Sequence, residues 1–115
     1  MSLQRPPTPF ESRVYAALER IPSGRVTTYG DLAAALGCGS AQAVGQALGR
    51  NPFAPRVPCH RVIRGDLSAG GYTGEPHGPK VEQKLALLRG EGVVFDSCGR
   101  LADARQLFSL KSSAA

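Results

Sequence analysis

Apolar residues recur at helical spacing in the first part of the chain. Phe10, Val14, Ala17, Leu18 and Ile21 fall on one helical face. Thr8 can cap that helix, Pro9 suits its first position, and Glu11 has the spacing of a capping box. Pro22-Ser23-Gly24 ends it in a turn, and Arg25-Val26-Thr27 reads as a short extended link. Thr28 opens a second helix, with Asp31 at capping-box spacing. Leu32, Ala33 and Leu36 face its core, and Gly37 is a natural stop. Cys38-Gly39 makes a tight turn. Ser40 then caps a third helix, whose stripe is Ala43, Val44, Ala47 and Leu48. Helix, glycine turn and helix predict a helix-turn-helix.

The pattern then loosens. Arg50-Asn51-Pro52 leaves the third helix, and Pro55 and Pro58 hold the next stretch extended. Gly70-Gly71-Tyr72-Thr73-Gly74 is a glycine-rich loop, continued by Pro76 to Pro79. A fourth helix is expected from Val81 to Arg89, with Leu85 and Leu88 inward. Gly90-Glu91-Gly92 ends it, and Val93-Val94-Phe95 reads as a short apolar strand. Lys111 to Ala115 reads as a frayed end. The expected fold is mainly α with short β elements, a winged-helix-like helix-turn-helix DNA-binding domain. It is expected to be a single domain over 1–115, with its core at about 8–110 and no N-terminal companion domain.

Composition adds a partner. The 115 residues carry a formal charge of +5 and a pI near 9.6, and most of the positive charge is arginine. A basic balance raises the odds of a nucleic-acid partner, and arginine's planar fork suits phosphate. The three cysteines, Cys38, Cys59 and Cys98, are odd in number and form no C-x-x-C. Without a signal-peptide pattern, they fit a reducing, intracellular setting: cytoplasmic, with association to a nucleoid or residence in a nucleus. No apolar run approaches the ~20 residues of a membrane span. No metal-ligand spacing is present, and His77 is the only histidine besides His60.

The third helix is unusual for a major-groove reader. Ala41, Gly45, Ala47 and Gly49 leave few side chains able to read base edges. Such a smooth surface allows close approach to a narrow groove without sequence preference, and it equally allows tight packing against other helices.

Cys59 stands out by its neighbours. A thiol near neutral pH is mostly protonated, and an adjacent base can take the proton. His60 follows it, Arg61 and Arg64 add positive charge, and Glu91 could orient the imidazole as in a triad. An arbitrary Cys-His pair is more often a buried cysteine beside a surface histidine. A cysteine protease would want a larger scaffold.

At this point the residues match a family. Pro58-Cys59-His60-Arg61-Val62 resembles the active-site motif of the O6-alkylguanine-DNA alkyltransferases. Val26-Thr27-Thr28-Tyr29-Gly30-Asp31-Leu32-Ala33 resembles that family's entry to the helix-turn-helix. Ala43-Val44-Gly45 and Arg50-Asn51-Pro52 resemble its recognition helix and asparagine hinge. Gly71-Tyr72-Thr73-Gly74 resembles the loop over the alkyl pocket, and Leu87-Leu88 with Glu91-Gly92 the helix that supplies the glutamate. The fragments stand in order over roughly residues 10 to 95.

The resemblance implies direct reversal of damage in double-stranded DNA. An alkylated guanine is flipped out of the stack, and Cys59 takes the alkyl group in one displacement. His60 is then the base, acting through water, with Glu91 behind it. Tyr29 donates a proton toward the purine, and Asn51 braces the hinge. Tyr72, Thr73 and Val62 line the pocket. Thr28, Tyr29, Gln42, Ala43, Gly45, Arg50 and Arg61 face the DNA. The protein would act once, as a monomer, without a cofactor and away from membranes.

Two features depart from that pattern. Gln42 stands where the family usually has the arginine that fills the gap left by the flipped base. The short form is shared with alkyltransferase-like proteins, which bind alkylated DNA without repairing it and hand it to excision repair. Those proteins typically have tryptophan or alanine at the position of Cys59. A third class, a helix-turn-helix regulator that senses alkylation at Cys59, would need a sequence-reading helix or a dimer surface.

Overall fold

Each helix of the amino-terminal half begins at a side-chain cap. The computed structural model describes residues 7–51, 56–71 and 78–110. Within them run α1 (Pro9–Leu18), β1 (Thr27–Thr28), α2 (Tyr29–Ala35), α3 (Ala41–Gly49), β2 (Val62–Ile63) and α4 (Pro79–Gly90). Single 3-10 turns lie at Cys59–Arg61 and Ala104–Gln106. The Thr8 hydroxyl accepts from the Glu11 N–H at 3.0 Å, and the Glu11 carboxylate accepts from the Thr8 N–H at 3.1 Å, completing a capping box. Ser40 caps α3 through the Ala43 N–H at 3.1 Å. Between α2 and α3, Gly37 takes φ +69°. The Gly37 and Cys38 N–H groups close on Ala34 and Ala33 at 3.1 and 2.9 Å, the Schellman ending that only glycine adopts cheaply. The fold is therefore mostly helical with a short sheet, and α2 and α3 form the helix-turn-helix.

Thr28 caps α2 as expected, accepting from the Asp31 N–H at 3.1 Å. The Asp31 carboxylate goes elsewhere. It accepts from the Thr27 hydroxyl at 2.9 Å and from the Leu110 N–H at 3.1 Å, so the start of α2 is fastened to the far end of the chain.

Other expectations need correction. Helix α1 stops at Leu18, and Ile21 reaches the core from the following turn. Helix α4 starts two residues early, because Pro79 sits well in a first turn that needs no N–H from it. Val93 to Phe95 is no strand. The Val93 N–H is spent on the Leu88 carbonyl at 2.9 Å, Val94 is exposed, and only Phe95 forms a bridge, to Leu101. In α4, Leu88 is buried and Leu85 only half so, while Lys84 is fully buried.

Strands β1 and β2 pair in parallel, Thr27 with Val62 and Thr28 with Ile63. Successive strand residues face opposite sides, so β2 divides the core. Val62 joins Val14, Leu18, Leu32, Val44, Leu48 and Leu110 in one cluster. Ile63 joins Val26, Leu88, Val93 and Leu101 in the other. The Tyr15 hydroxyl donates to the Ala47 carbonyl at 2.9 Å, tying α1 to α3. The chain end then runs beside Val26, whose N–H and carbonyl pair with Gln106 and Phe108 at 2.9 and 2.7 Å. Leu110 is 0 % exposed. Among the described residues, no helix is long and apolar enough to cross a membrane.

Leu110→Ala should destabilise the protein by ~2–5 kcal/mol, the range for a fully buried leucine. A urea melt checks this, and an unchanged midpoint would show that the chain end does not complete the core.

Candidate active site

The turn at Cys59–Arg61 sends three consecutive side chains in three directions, since a 3-10 helix turns about 120° per residue. The Cys59 and Arg61 N–H groups close on the Val57 and Pro58 carbonyls at 2.8 and 3.0 Å. Asn51, directly after the cap of α3, donates from Nδ2 to the Val57 carbonyl at 2.9 Å, and its side chain also hydrogen-bonds to Cys59. One amide thus couples the end of α3 to the position of the thiol.

Cys59 is 4 % exposed and packs in the first core cluster. Burial raises its pKa, and the Asn51 hydrogen bond and the charge of Lys84 only partly oppose this. The resting group is therefore a thiol that needs a base. His60, next along, is 2 % exposed. Burial lowers its pKa against the pull of Glu91, which keeps the imidazole neutral. Its Nε2 lies 2.9 Å from Glu91 Oε2. A carboxylate only accepts, so Nε2 carries the hydrogen and Nδ1 keeps its lone pair. Nδ1 is buried without a hydrogen-bond partner among the described residues. This is the form of a general base.

Glu91 is shared. Arg61 donates to it from Nε at 3.0 Å and from a terminal nitrogen at 2.8 Å, and Arg61 also donates to the Ile21 carbonyl at 2.7 Å. Burial alone would raise the Glu91 pKa, but the hydrogen bonds from Arg61 and His60 hold it below the ordinary carboxylate range. Arg61 was expected to face DNA. Three of its five N–H donors instead bond to Glu91 and Ile21, because the turn aims the guanidinium at Glu91.

Lys84 is the residue that sequence reasoning missed. It is 0 % exposed. Its ammonium donates to the carbonyls of Val62, Ala69 and Gly71 at 2.7, 2.5 and 2.9 Å. Three acceptors use all three hydrogens of an ammonium, whereas a neutral amine has two. Burial pulls its pKa down to about 7, while a Cys59 thiolate pulls it up. The two groups therefore favour each other's charged forms. One signal for it exists: Lys84 occupies a place in the helical stripe Val81, Lys84, Leu85, Leu88.

Tyr29 opens α2 and is half-buried. Burial chiefly, and the charge of Cys59, raise its pKa while Arg64 lowers it, which leaves a protonated phenol able to donate. Cys59, His60, Glu91, Tyr29 and Asn51 thus come together, with Lys84 beneath them. Among the described residues, no group of His, Cys, Asp or Glu could hold a metal.

Residues 9–93 match the DNA-binding domain of 6-O-methylguanine DNA methyltransferase. The chain belongs to this family. A methylated-DNA–protein-cysteine methyltransferase of Salmonella typhimurium is 50 % identical over 89 residues, covering 76 % of this chain and 49 % of that protein. The chain spans about half the length of the curated relatives it matches. The crystal structure of Mycobacterium tuberculosis OGT in complex with DNA superposes with TM-score 0.66 at 45 % identity, covering 73 % of this chain and 50 % of that one. S. pombe Atl1, in complex with damaged DNA containing O6-carboxymethylguanine, gives TM-score 0.69 at 28 % identity, covering 87 % and 94 %.

The family's helix-turn-helix also orders the remaining residues. Gln42 and Gln46 are exposed on α3 and, with Tyr29, Gly45, Arg50 and Arg64, line an open cavity of ≈ 720 Å³. A Cβ added at Gly45 would meet nothing within 4 Å among the described residues, so internal packing does not require glycine there. Ala43 is half-buried beside it. Arg50 is largely exposed and pairs with Glu11 at 3.1 Å. The Thr28 hydroxyl is occupied as the cap of α2. Val62 is 0 % exposed and packs in the first core cluster, because β2 turns it inward. Tyr72 and Thr73 lie outside the described residues, as do Gly74, Pro76, His77, Pro52, Pro55 and Lys111 to Ala115.

Replacing Lys84 by methionine should move the pH midpoint of Cys59 alkylation by iodoacetamide to higher pH, with arginine restoring part of the shift. A purely structural lysine would leave the midpoint where it is.

Proposed function

We propose that this chain removes alkyl groups from the O6 position of guanine in double-stranded DNA by transferring them to Cys59. The observation that carries this reading is a buried thiol followed in the chain by a buried His60 that is hydrogen-bonded to Glu91, next to a helix-turn-helix. The damaged nucleotide leaves the stack and enters the site, at a cost of a few kcal/mol. His60 takes the thiol proton through a water, and Glu91 stabilises the imidazolium. The sulfur bonds to the alkyl carbon, the carbon–O6 bond breaks, and its electron pair goes to the guanine. Tyr29 supplies a proton toward the purine ring as the guanine leaves. The product thioether is stable, so the protein acts once, as a monomer and without a cofactor.

On the DNA side, α3 offers alanine, glycine and glutamine rather than a base-reading row. The open space around Gly45 supports close approach of the helix backbone to the minor groove. Three of the five N–H donors of Arg61 are engaged by Glu91 and Ile21, which favours a role at the cysteine turn over a phosphate contact. A second reading, a lesion-binding protein that passes damage to excision repair, is favoured by the neutral Gln42 at the place of the base-replacing arginine.

Intact-protein mass spectrometry after incubation with an O6-methylguanine duplex separates the two. One methyl replacing a hydrogen on Cys59, and its loss in Cys59→Ala, is the expected result. No mass change, with lesion-selective binding retained, would install the second reading.

Gly45→Ala should stabilise α3 by roughly 0.5–1 kcal/mol, since alanine outranks glycine in a helix. The same change should weaken duplex binding in a titration at fixed salt. Unchanged affinity would mean that α3 does not lie against the DNA.

A further inference from the structure

A helix turns about 100° per residue, so spacing assigns the two faces of α3. Val44, Ala47 and Leu48 are buried and form its core side. Gln42, Gly45, Gln46 and Gly49, at i, i+3, i+4 and i+7, fall on the opposite side and line the open cavity of ≈ 720 Å³. Both glutamines are exposed. Neither has a hydrogen-bond partner among the described residues. A Cβ at Gly45, between them, would meet nothing within 4 Å among the described residues. Two free amides, one helical turn apart, therefore stand over bare backbone.

The surroundings suit one partner. Arg50 and Arg64 line the same cavity, and none of its lining residues is acidic. That charge matches the phosphates bordering a DNA groove. In the minor groove every base pair presents acceptors, and only G·C adds a donor, the guanine 2-amino group. A glutamine amide has one acceptor oxygen and two N–H donors. Against G·C it makes both kinds of bond at once, whereas against A·T its oxygen has nothing to accept. Gln42 holds the place of the base-replacing residue. Gln46 lies one turn further along, a rise of about 6 Å. That is less than two base-pair steps of ~3.4 Å.

We propose that Gln46 reads the 2-amino group of a guanine within two base pairs of the lesion, so that the protein prefers damage with a G·C neighbour. This assignment rests on the alkyl-transfer reading, with α3 in the minor groove, and it adds a sequence context to it. The Gln46 Oε1 accepts from the guanine amine, and Nε2 donates to an acceptor of the same base pair. Minor-groove proteins use such amides to tell G·C from A·T. The missing side chain at Gly45 lets the helix settle deep enough for a glutamine to reach the groove floor.

The test uses a duplex with one O6-methylguanine and G·C at the two pairs on each side. Guanine is replaced by inosine at one flanking position at a time, which deletes the 2-amino group and leaves the other groove atoms in place. Equilibrium affinities are measured by fluorescence anisotropy with the Cys59→Ala protein, so that transfer does not consume the lesion. Inosine at one position should weaken binding about fivefold, with the other positions near unity. Adding Gln46→Ala should abolish that penalty, whereas adding Gln42→Ala should weaken binding to every duplex and keep the penalty. Easier opening of an inosine pair acts on all these proteins alike, so the comparison isolates the amide. No penalty at any position, a penalty that survives Gln46→Ala, or one removed by Gln42→Ala instead overturns the assignment. Methyl transfer by the unaltered protein is scored separately. Its absence would refute the transfer reading, while the inosine penalty would still decide the role of Gln46.

Discussion

The Glu91 carboxylate is the group on which the geometry of the cysteine turn depends. It terminates α4, yet its two oxygens accept from His60 and twice from Arg61, and Arg61 continues to the carbonyl of Ile21 after α1. Two helix ends and the cysteine turn therefore meet at one anion. The arrangement is asymmetric in chemistry. Arg61 is always charged and keeps Glu91 ionised, and an ionised Glu91 fixes which nitrogen of His60 bears the hydrogen. Without that sequence of dependences, the lone pair on Nδ1 would have no assured direction.

The thiol's protonation is balanced between opposing influences. Burial in an apolar cluster favours the neutral form, whereas Asn51 and Lys84 favour the anion. Lys84 sits in the same low-dielectric region and is held by three backbone carbonyls. A buried cation without such acceptors would be costly. The carbonyls belong to β2 and to the stretch that leads into the glycine-rich loop, so the geometry of that stretch and the charge near the sulfur share one fastening point.

What could be read from residues alone was local. Thr8, Ser40 and Gly37 announce helix ends because a cap is decided within four residues. Cys59 and His60 were legible because they are neighbours in sequence, and Glu91 because the family resemblance supplied it. The misjudged residues depend on distant partners. Arg61 has the composition of a phosphate contact, but its acceptor is 30 positions away. Lys84 looks like a solvated helix residue until the carbonyls of Val62, Ala69 and Gly71 surround it. The expected strand at Val93 shrank to a single bridge between Phe95 and Leu101, because the Val93 N–H is spent on Leu88, which alternation of side chains cannot reveal. The choice between packing and groove approach at Gly45 needed the space around it, and only coordinates supply that.

The helix-turn-helix is compact in sequence, but its core is closed from far away. Leu110 fills the cluster under α1, α2 and α3, and its N–H is bound by Asp31 at the head of α2. Closing a loop of that length carries an entropic cost that local helix contacts do not, and such contacts slow folding. The order of assembly follows. Capped helices can form early and flicker, but the DNA-facing unit becomes a rigid body only when the end of the chain has folded back onto it.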